Sequence, residues 1–431
     1  MLPITCANKA CSARGFSLEN WVGVWVMLFG IGVLGFAPLY GLSALVLLIT
    51  SLLVYPVDKK TIFTRPLVRR EKLFLIFVLL YFVSQCFSVL HQPAGYEYES
   101  LARQLSAFDY VSRWGLMVPV WLLFRAYKID WVYIAVGLAI GSIIGATLGH
   151  YQVYYAGLPQ AIGASNHAIP FGELMVVTDV FLCVFAFRAW EAEKRWLSAF
   201  LFLASLAAFY GSLLAVTRGA WLVYPVLISV YVLYVAFQVR LNITSLFRPL
   251  IVFRVFTAIL LFFLVAQTDH YQIMQAKTMA TVSGLETGNL DGATSLRYSN
   301  FVTALESIRA YPFGIGMDNF GLAKGAQFGH AHNELLNTAV ETGLPGLFAL
   351  VAMVLFSGYI FFSGFVGSLG EKVEMSSSCG LMLLVCFGIF SQSQSVFSHH
   401  DTLLFFIFYL YLFMGQKELA VRSCQQNNAK Q

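Results

Sequence analysis

Hydrophobic runs of about 17–25 residues recur along this chain, each long enough as a helix to cross a hydrocarbon layer of ~30 Å. Lipid offers backbone N–H and C=O groups no partner, and the runs lack the period-two alternation of barrel strands, which leaves α-helices as the spanning elements. With 58% hydrophobic and 11% charged residues over 431 positions, a soluble globular fold is excluded. The pattern predicts an all-α, polytopic membrane protein of about twelve transmembrane helices, near 20–36, 39–55, 73–90, 107–124, 131–149, 171–187, 196–215, 220–238, 250–266, 346–363, 379–396 and 402–416. No linker-like or low-complexity tract divides it, so residues 1–431 are expected to form one integral membrane domain, with 267–345 as a large external loop within it.

Most of the 27 lysines and arginines fall in one set of loops and span edges, from Lys9 and Arg14 through Lys59, Arg69, Arg125, Arg188 and Arg240 to Lys417 and Lys430. The other set holds Arg103, Arg113, Arg218, Lys277, Arg297, Arg309 and Lys324. The positive-inside rule then puts both termini in the cytoplasm and the second set of loops outside. The net charge of +5 reflects this asymmetry and gives no reason to expect a nucleic-acid partner. Cys6, Cys11 and Cys424 are expected in the cytoplasm and Cys86, Cys183, Cys379 and Cys386 within spans, so no disulfide framework is expected. The apolar run after Lys9 and Arg14 resembles a signal sequence but lacks a small-residue cleavage site, and is read as a retained first span.

The histidines follow the opposite distribution. His91, His150, His167, His270, His330, His332, His399 and His400 all lie between expected spans on the external side, which makes that face the place for chemistry. The large loop is patterned. Residues 295–310 read as a helix capped by Thr294 or Ser295, stopped before Pro312, with Phe301, Ala304, Leu305 and Ile308 on its apolar face and Arg297 sharing that face. The turn Pro312-Phe313-Gly314-Ile315-Gly316-Met317-Asp318-Asn319 is expected to bring backbone close to a ligand. A short helix from about Asn333 to Thr342 should end at Gly343, ahead of Pro345 and the next span.

Arg218, in Thr217-Arg218-Gly219-Ala220-Trp221, lies where a helix N-terminus and a bidentate donor suit a phosphate or pyrophosphate; an interfacial arginine reaching lipid headgroups fits the same spacing. Arg297 needs an anionic partner or an aqueous cavity, or else an internal ion pair with Glu286, Asp291 or Asp318. In His330-Ala331-His332-Asn333-Glu334 the two imidazoles suit metal ligation, with help from His399-His400-Asp401, or general-base work on a hydroxyl, against the simpler role of bonding loop carbonyls. Glu334, Glu341 and Asp401 would orient an imidazole or merely solvate the face, and Tyr151, Tyr154 and Tyr155 offer stacking surfaces for sugars.

At these residues the chain resembles the O-antigen ligase family, within the set that also holds O-antigen polymerases and protein O-oligosaccharyltransferases. The likeness rests on Thr217 to Trp221, Ser295-Leu296-Arg297, Pro312 to Gly316, His330 to Leu336 and Glu341-Thr342-Gly343-Leu344-Pro345-Gly346. The resemblance implies a glycosyltransferase of the bacterial inner membrane with its active site in the periplasm, using no cofactor or metal. Such an enzyme takes an undecaprenyl-pyrophosphate-linked glycan as donor and a sugar hydroxyl of the lipid A core as acceptor. It further implies Arg218 and Arg297 on the pyrophosphate, His332 or, second, His330 as base, Asp401 as an orienting group, and inversion at the anomeric carbon. A protein O-oligosaccharyltransferase or an O-antigen polymerase would share the donor. A multi-span transporter or flippase, the reading from another class, fits less well, because the spans carry few charges and show no repeat.

Overall fold

A computed structural model describes residues 17–57, 67–226, 292–367 and 375–428, with isolated positions between 259 and 283. Among the described residues the regular structure is helical throughout, as the pattern predicts. The long helices are α1 (Leu18–Gly35), α2 (Ala37–Val57), α3 (Arg69–Leu90), α4 (Leu101–Ala126), α5 (Trp131–Tyr154), α6 (Ala168–Glu191) and α7 (Arg195–Ala215). After a single turn at Arg218–Trp221 come α8 (Gly292–Ala310), α9 (Glu334–Gly367), α10 (Met375–Phe390) and α11 (His400–Asn428).

Short polar side chains start several of these helices by accepting from their free N–H groups. Ser17 accepts from Asn20 N at 3.2 Å, Ser100 from Arg103 N at 3.3 Å and Asp130 from Val132 N at 3.1 Å. His167 does the same for α6, its Nδ1 accepting from Ile169 N at 3.2 Å. Helix α6 packs on α7 and α10, α1 on α5, α9 on α3 and α10, and α11 on α4.

Among the described residues, seven helices are long and apolar enough to cross a membrane: α1 to α3, α5 to α7 and α9. Their burial separates two roles. Only 17% of the best apolar window of α2 is covered, leaving Leu42, Leu45, Ile49, Leu52 and Leu53 exposed as a lipid-facing helix would. The corresponding window of α6 is 83% covered, which makes it the centre of the bundle.

The expectation of about twelve spans is met in part. Helices α4 and α11 stand where spans were expected, α4 with Asp109 and Arg113 inside the expected stretch and α11 with charges only at Asp401 and from Lys417 on, and α10 is shorter than a full crossing. The expected spans at 250–266 and most of 220–238 lie outside the described residues, as do Cys6, Cys11, His270 and the first part of the large loop. The expected span at 379–396 needs correction. Helix α10 ends at Phe390, and Ser391 to Gln394 turn back with Gln394 N bonded to Phe390 O at 3.0 Å.

Candidate functional site

Helix α8 begins at Gly292, three residues ahead of the expected start, and its inner face keeps Ala304 and Ile308 of the expected apolar face but not Phe301 and Leu305. Phe301 and Leu305 are exposed, while Asn300, Thr303, Ala304 and Ser307 are buried. Asn300 explains the rotation. Its Nδ2 donates to the His330 carbonyl at 2.9 Å and its Oδ1 accepts from Gln327 N at 2.8 Å, so one buried amide ties both ends of the 327–330 segment to the helix. Arg297 stands one turn before Asn300 on the same stripe.

The glycine-rich turn is held by backbone hydrogen bonds. Ile315 N donates to Val340 O at 2.9 Å, Gly316 N to Glu341 O at 3.2 Å and Leu344 N to Pro312 O at 2.9 Å. The turn therefore docks on protein backbone, at the point where α9 breaks. The break is Gly343, the residue the sequence marks as a helix end, with φ 73° and ψ −178° inside an otherwise continuous run from Glu334 to Gly367. Asn333 starts that run, its Oδ1 accepting from Leu336 N at 3.1 Å.

Four histidines from three separate segments meet above α6. The His330 and His332 rings lie 4.3 Å apart edge to face, His330 lies 6.1 Å from His399, and His167 stacks on His399 at 6.1 Å. Gln394, buried in the turn after α10, joins two of them: His332 Nδ1 bonds its Oε1 at 2.8 Å and its Nε2 bonds His399 Nε2 at 2.9 Å. With the amide in this orientation, His332 carries its proton on Nδ1 and presents an unprotonated Nε2. That Nε2 is buried and has no hydrogen-bond partner, and the same holds for His330 Nδ1. His332 also sits at φ 53°, a left-handed conformation that costs a non-glycine residue about 1–3 kcal/mol. Strain at a residue whose ring nitrogen is held ready for a bond is what a functional position looks like.

Burial sets the charge state of the cluster. It lowers His330 to about 3, with His332, His399, His167 and Arg297 adding their positive charge, and lowers His399 to about 4. His332 is lowered too, first by burial, against the raising effect of its bond to Gln394 and with the help of Arg297. All three imidazoles are thus neutral at neutral pH, which is the form that accepts a proton.

Of the two expected arginines, Arg297 registers at both His330 and His332 through its charge. Arg218 is placed by its neighbours. Thr217 Oγ1 donates to Ala168 O at 3.2 Å, next to His167, and a Cβ on Gly219 would meet Ser393 Oγ at 2.5 Å, next to Gln394. Val216, which ends α7 at φ 53°, turns the chain into this position. Asp401 lies elsewhere: it accepts from the Tyr40 hydroxyl, and its charge reaches His399 without a bond. His400 pairs with Asp109 at 3.6 Å and stacks on Tyr110, while His150 bonds Tyr210 at 2.7 Å beside Tyr154 and Tyr155. Among the described residues, no three His, Cys, Asp or Glu side chains are grouped to hold a metal.

Gln394 escaped the sequence reading. The signal was present in Ser391-Gln392-Ser393-Gln394-Ser395, five polar residues inside a run assigned to the bilayer.

Residues 200–351 match the O-antigen ligase family. The matched segment contains Arg218, Arg297, His330 and His332 and supports an O-antigen ligase or polymerase type of glycosyltransferase, acting on lipid-linked glycans in a bacterial membrane. An uncharacterised protein of Haemophilus influenzae is 23% identical over 403 residues, covering 89% of this chain and 95% of that protein. That alignment reaches beyond the matched segment, whereas His167, Gln394 and His399 complete the cluster from outside it.

Proposed function

We propose that this O-antigen ligase-type protein transfers a glycan from undecaprenyl pyrophosphate to a sugar hydroxyl of the lipid A core, at the periplasmic face of the inner membrane, with both termini cytoplasmic. The observation that carries the reading is the His332 imidazole: Nδ1 anchored on Gln394, Nε2 buried and unpartnered, and the Arg297 charge close by. His332 Nε2 takes the acceptor hydroxyl proton as that oxygen bonds to the anomeric carbon. The bond from that carbon to the pyrophosphate oxygen breaks, and the electron pair leaves with the lipid pyrophosphate. Arg297 and Arg218 stabilise the charge that develops there. A single displacement inverts the anomeric configuration and forms no sugar–enzyme bond. His330 packs against His332 and keeps its ring oriented.

Complementation of a ligase-deficient strain tests this directly. The native chain should restore lipopolysaccharide capped with O-antigen, while His332→Ala, Arg297→Ala and Arg218→Ala should each abolish capping with the protein still inserted. Retained capping in all three, or glycosylated exported protein in place of capped lipopolysaccharide, would overturn the assignment.

A further inference from the structure

A second polar site lies at Glu334. It is a small cavity of about 40 Å3, partly open to solvent, lined by three carboxyl groups (Asp318, Glu334 and Glu341) and by the aromatic rings of Tyr81, Tyr110 and Trp114. The three acids lie within Coulombic reach of one another in sequence, Glu341 feeling both Asp318 and Glu334. No lysine, arginine or histidine lines the cavity. Arg103 approaches only from outside, donating to the Asp318 carbonyl at 3.3 Å.

Part of the acid lining is satisfied internally. Thr338 Oγ1 donates to Glu334 Oε1 at 2.9 Å, Phe397 N donates to Glu334 Oε2 at 2.9 Å, and Glu341 accepts from Asn337 and from Asp318 N. One group is left over. Gln85, from α3, lines the cavity at 3% exposure, and its Oε1 has no hydrogen-bond partner. A buried carbonyl left unmatched is costly unless a donor occupies the space in front of it. Asp318 adds a strained backbone at φ 60°. Acceptor oxygens, aromatic faces and three acidic side chains, of which only Asp318 has an arginine nearby, together describe a site for a hydrogen-bond donor that carries positive charge.

We propose that this cavity binds an ammonium group borne by a glycan, either the free amine of an amino sugar or an ethanolamine substituent. The carboxylates would neutralise the ammonium, Gln85 Oε1 would accept one of its hydrogens, and Tyr110 and Trp114 would cover its apolar flank. Glu334 lines this cavity and stands two residues after His332 in the chain. A glycan held here by its amine therefore sits beside the base, which makes the carrier an acceptor glycan; that last step rests on the transfer reading, whereas amine binding does not.

Binding to the purified full-length protein in detergent tests it, with glucosamine and ethanolamine as probes and glucose and N-acetylglucosamine as neutral counterparts, by calorimetry and thermal shift. Both amines should bind and raise the melting temperature, and the neutral sugars should not. Glu341→Gln and Gln85→Leu should each weaken amine binding about tenfold or more, and Asp318→Asn serves if either fails to fold. Equal binding of glucose would show a neutral sugar site, and no binding of either amine would show none; both overturn the proposal. A chain that binds amines yet fails to cap lipopolysaccharide would sink the transfer reading alone.

Discussion

At the scale of single residues, the site depends on which nitrogen of His332 carries the proton, and Gln394 decides that. Transfer needs the neutral imidazole, and burial lowers its pKa from the usual histidine value, so the midpoint of the acid limb of the rate profile should lie below 6.5. Gln394→Leu removes the anchor on Nδ1, and kcat should drop roughly 100-fold, the range of a general-base contribution, with KM little changed. The lost bond was raising the pKa, so the residual acid limb should move lower still. Gln394→Glu places a carboxylate between His332 and His399 and should move the limb upward. A structural defect alone would lower the rate without moving the limb in opposite directions in the two variants. The same burial makes stability depend on pH. His330 is held near 3 and His399 near 4 when folded, against 6.5 when unfolded, so the unfolded chain takes up protons first as pH falls. The melting temperature should decline progressively from about pH 6.5 downward, and His330→Asn should flatten that slope.

At the scale of elements, the decisive junction is the docking of the 312–316 turn on the broken start of α9. A Cβ on Gly343 would run into the Phe313 backbone, and its φ of 73° is strained for any L side chain. Gly343→Ala should therefore cost about 1–3 kcal/mol in thermal or chemical denaturation, and should slow transfer by displacing Glu334 and His332 at the head of the same helix. Unchanged stability would mean that the break tolerates a regular helix. The sequence marked this break correctly, because glycine two residues ahead of proline ends a helix by local chemistry alone. It misplaced part of the inner face of α8 for the converse reason. Phe301 and Leu305 are the most hydrophobic residues there, but what the helix must meet is a polar segment, and Asn300 is the side chain that can satisfy it. Hydrophobic periodicity placed Ala304 and Ile308, which pack with Ile315, Phe320 and Val340, but it gives no weight to a buried amide such as Asn300.

At the scale of the whole molecule, the helical class was legible because lipid leaves few alternatives, whereas the meeting of His167, His330, His332 and His399 depends on contacts between distant segments. The turn after α10 was hidden because a window of apolar residues swamps five small polar ones. The opposite end of the bundle offers a control on how far the site depends on the rest of the protein. Glu71 and Arg125 form a fully buried ion pair between α3 and α4, with Arg125 Nη2 on Glu71 Oε2 at 3.1 Å. Helix α3 carries this pair near its start and Ser88, bonded to the Glu341 carbonyl at 2.5 Å, near its end, about 25 Å along the axis. Removing Arg125 takes the opposite charge away from a buried carboxylate that keeps its bond from Val68 N, so Arg125→Ala should destabilise the protein by about 3 kcal/mol. Replacing both, Glu71→Leu with Arg125→Met, removes the stranded charge and should recover most of that loss. Sites this far apart with no shared partner behave independently, so transfer per folded molecule should match the native rate in the double variant. If the double variant is as stable as the native chain yet fails to transfer, the two ends of the bundle are coupled through α3, and the site cannot be understood from its own residues alone.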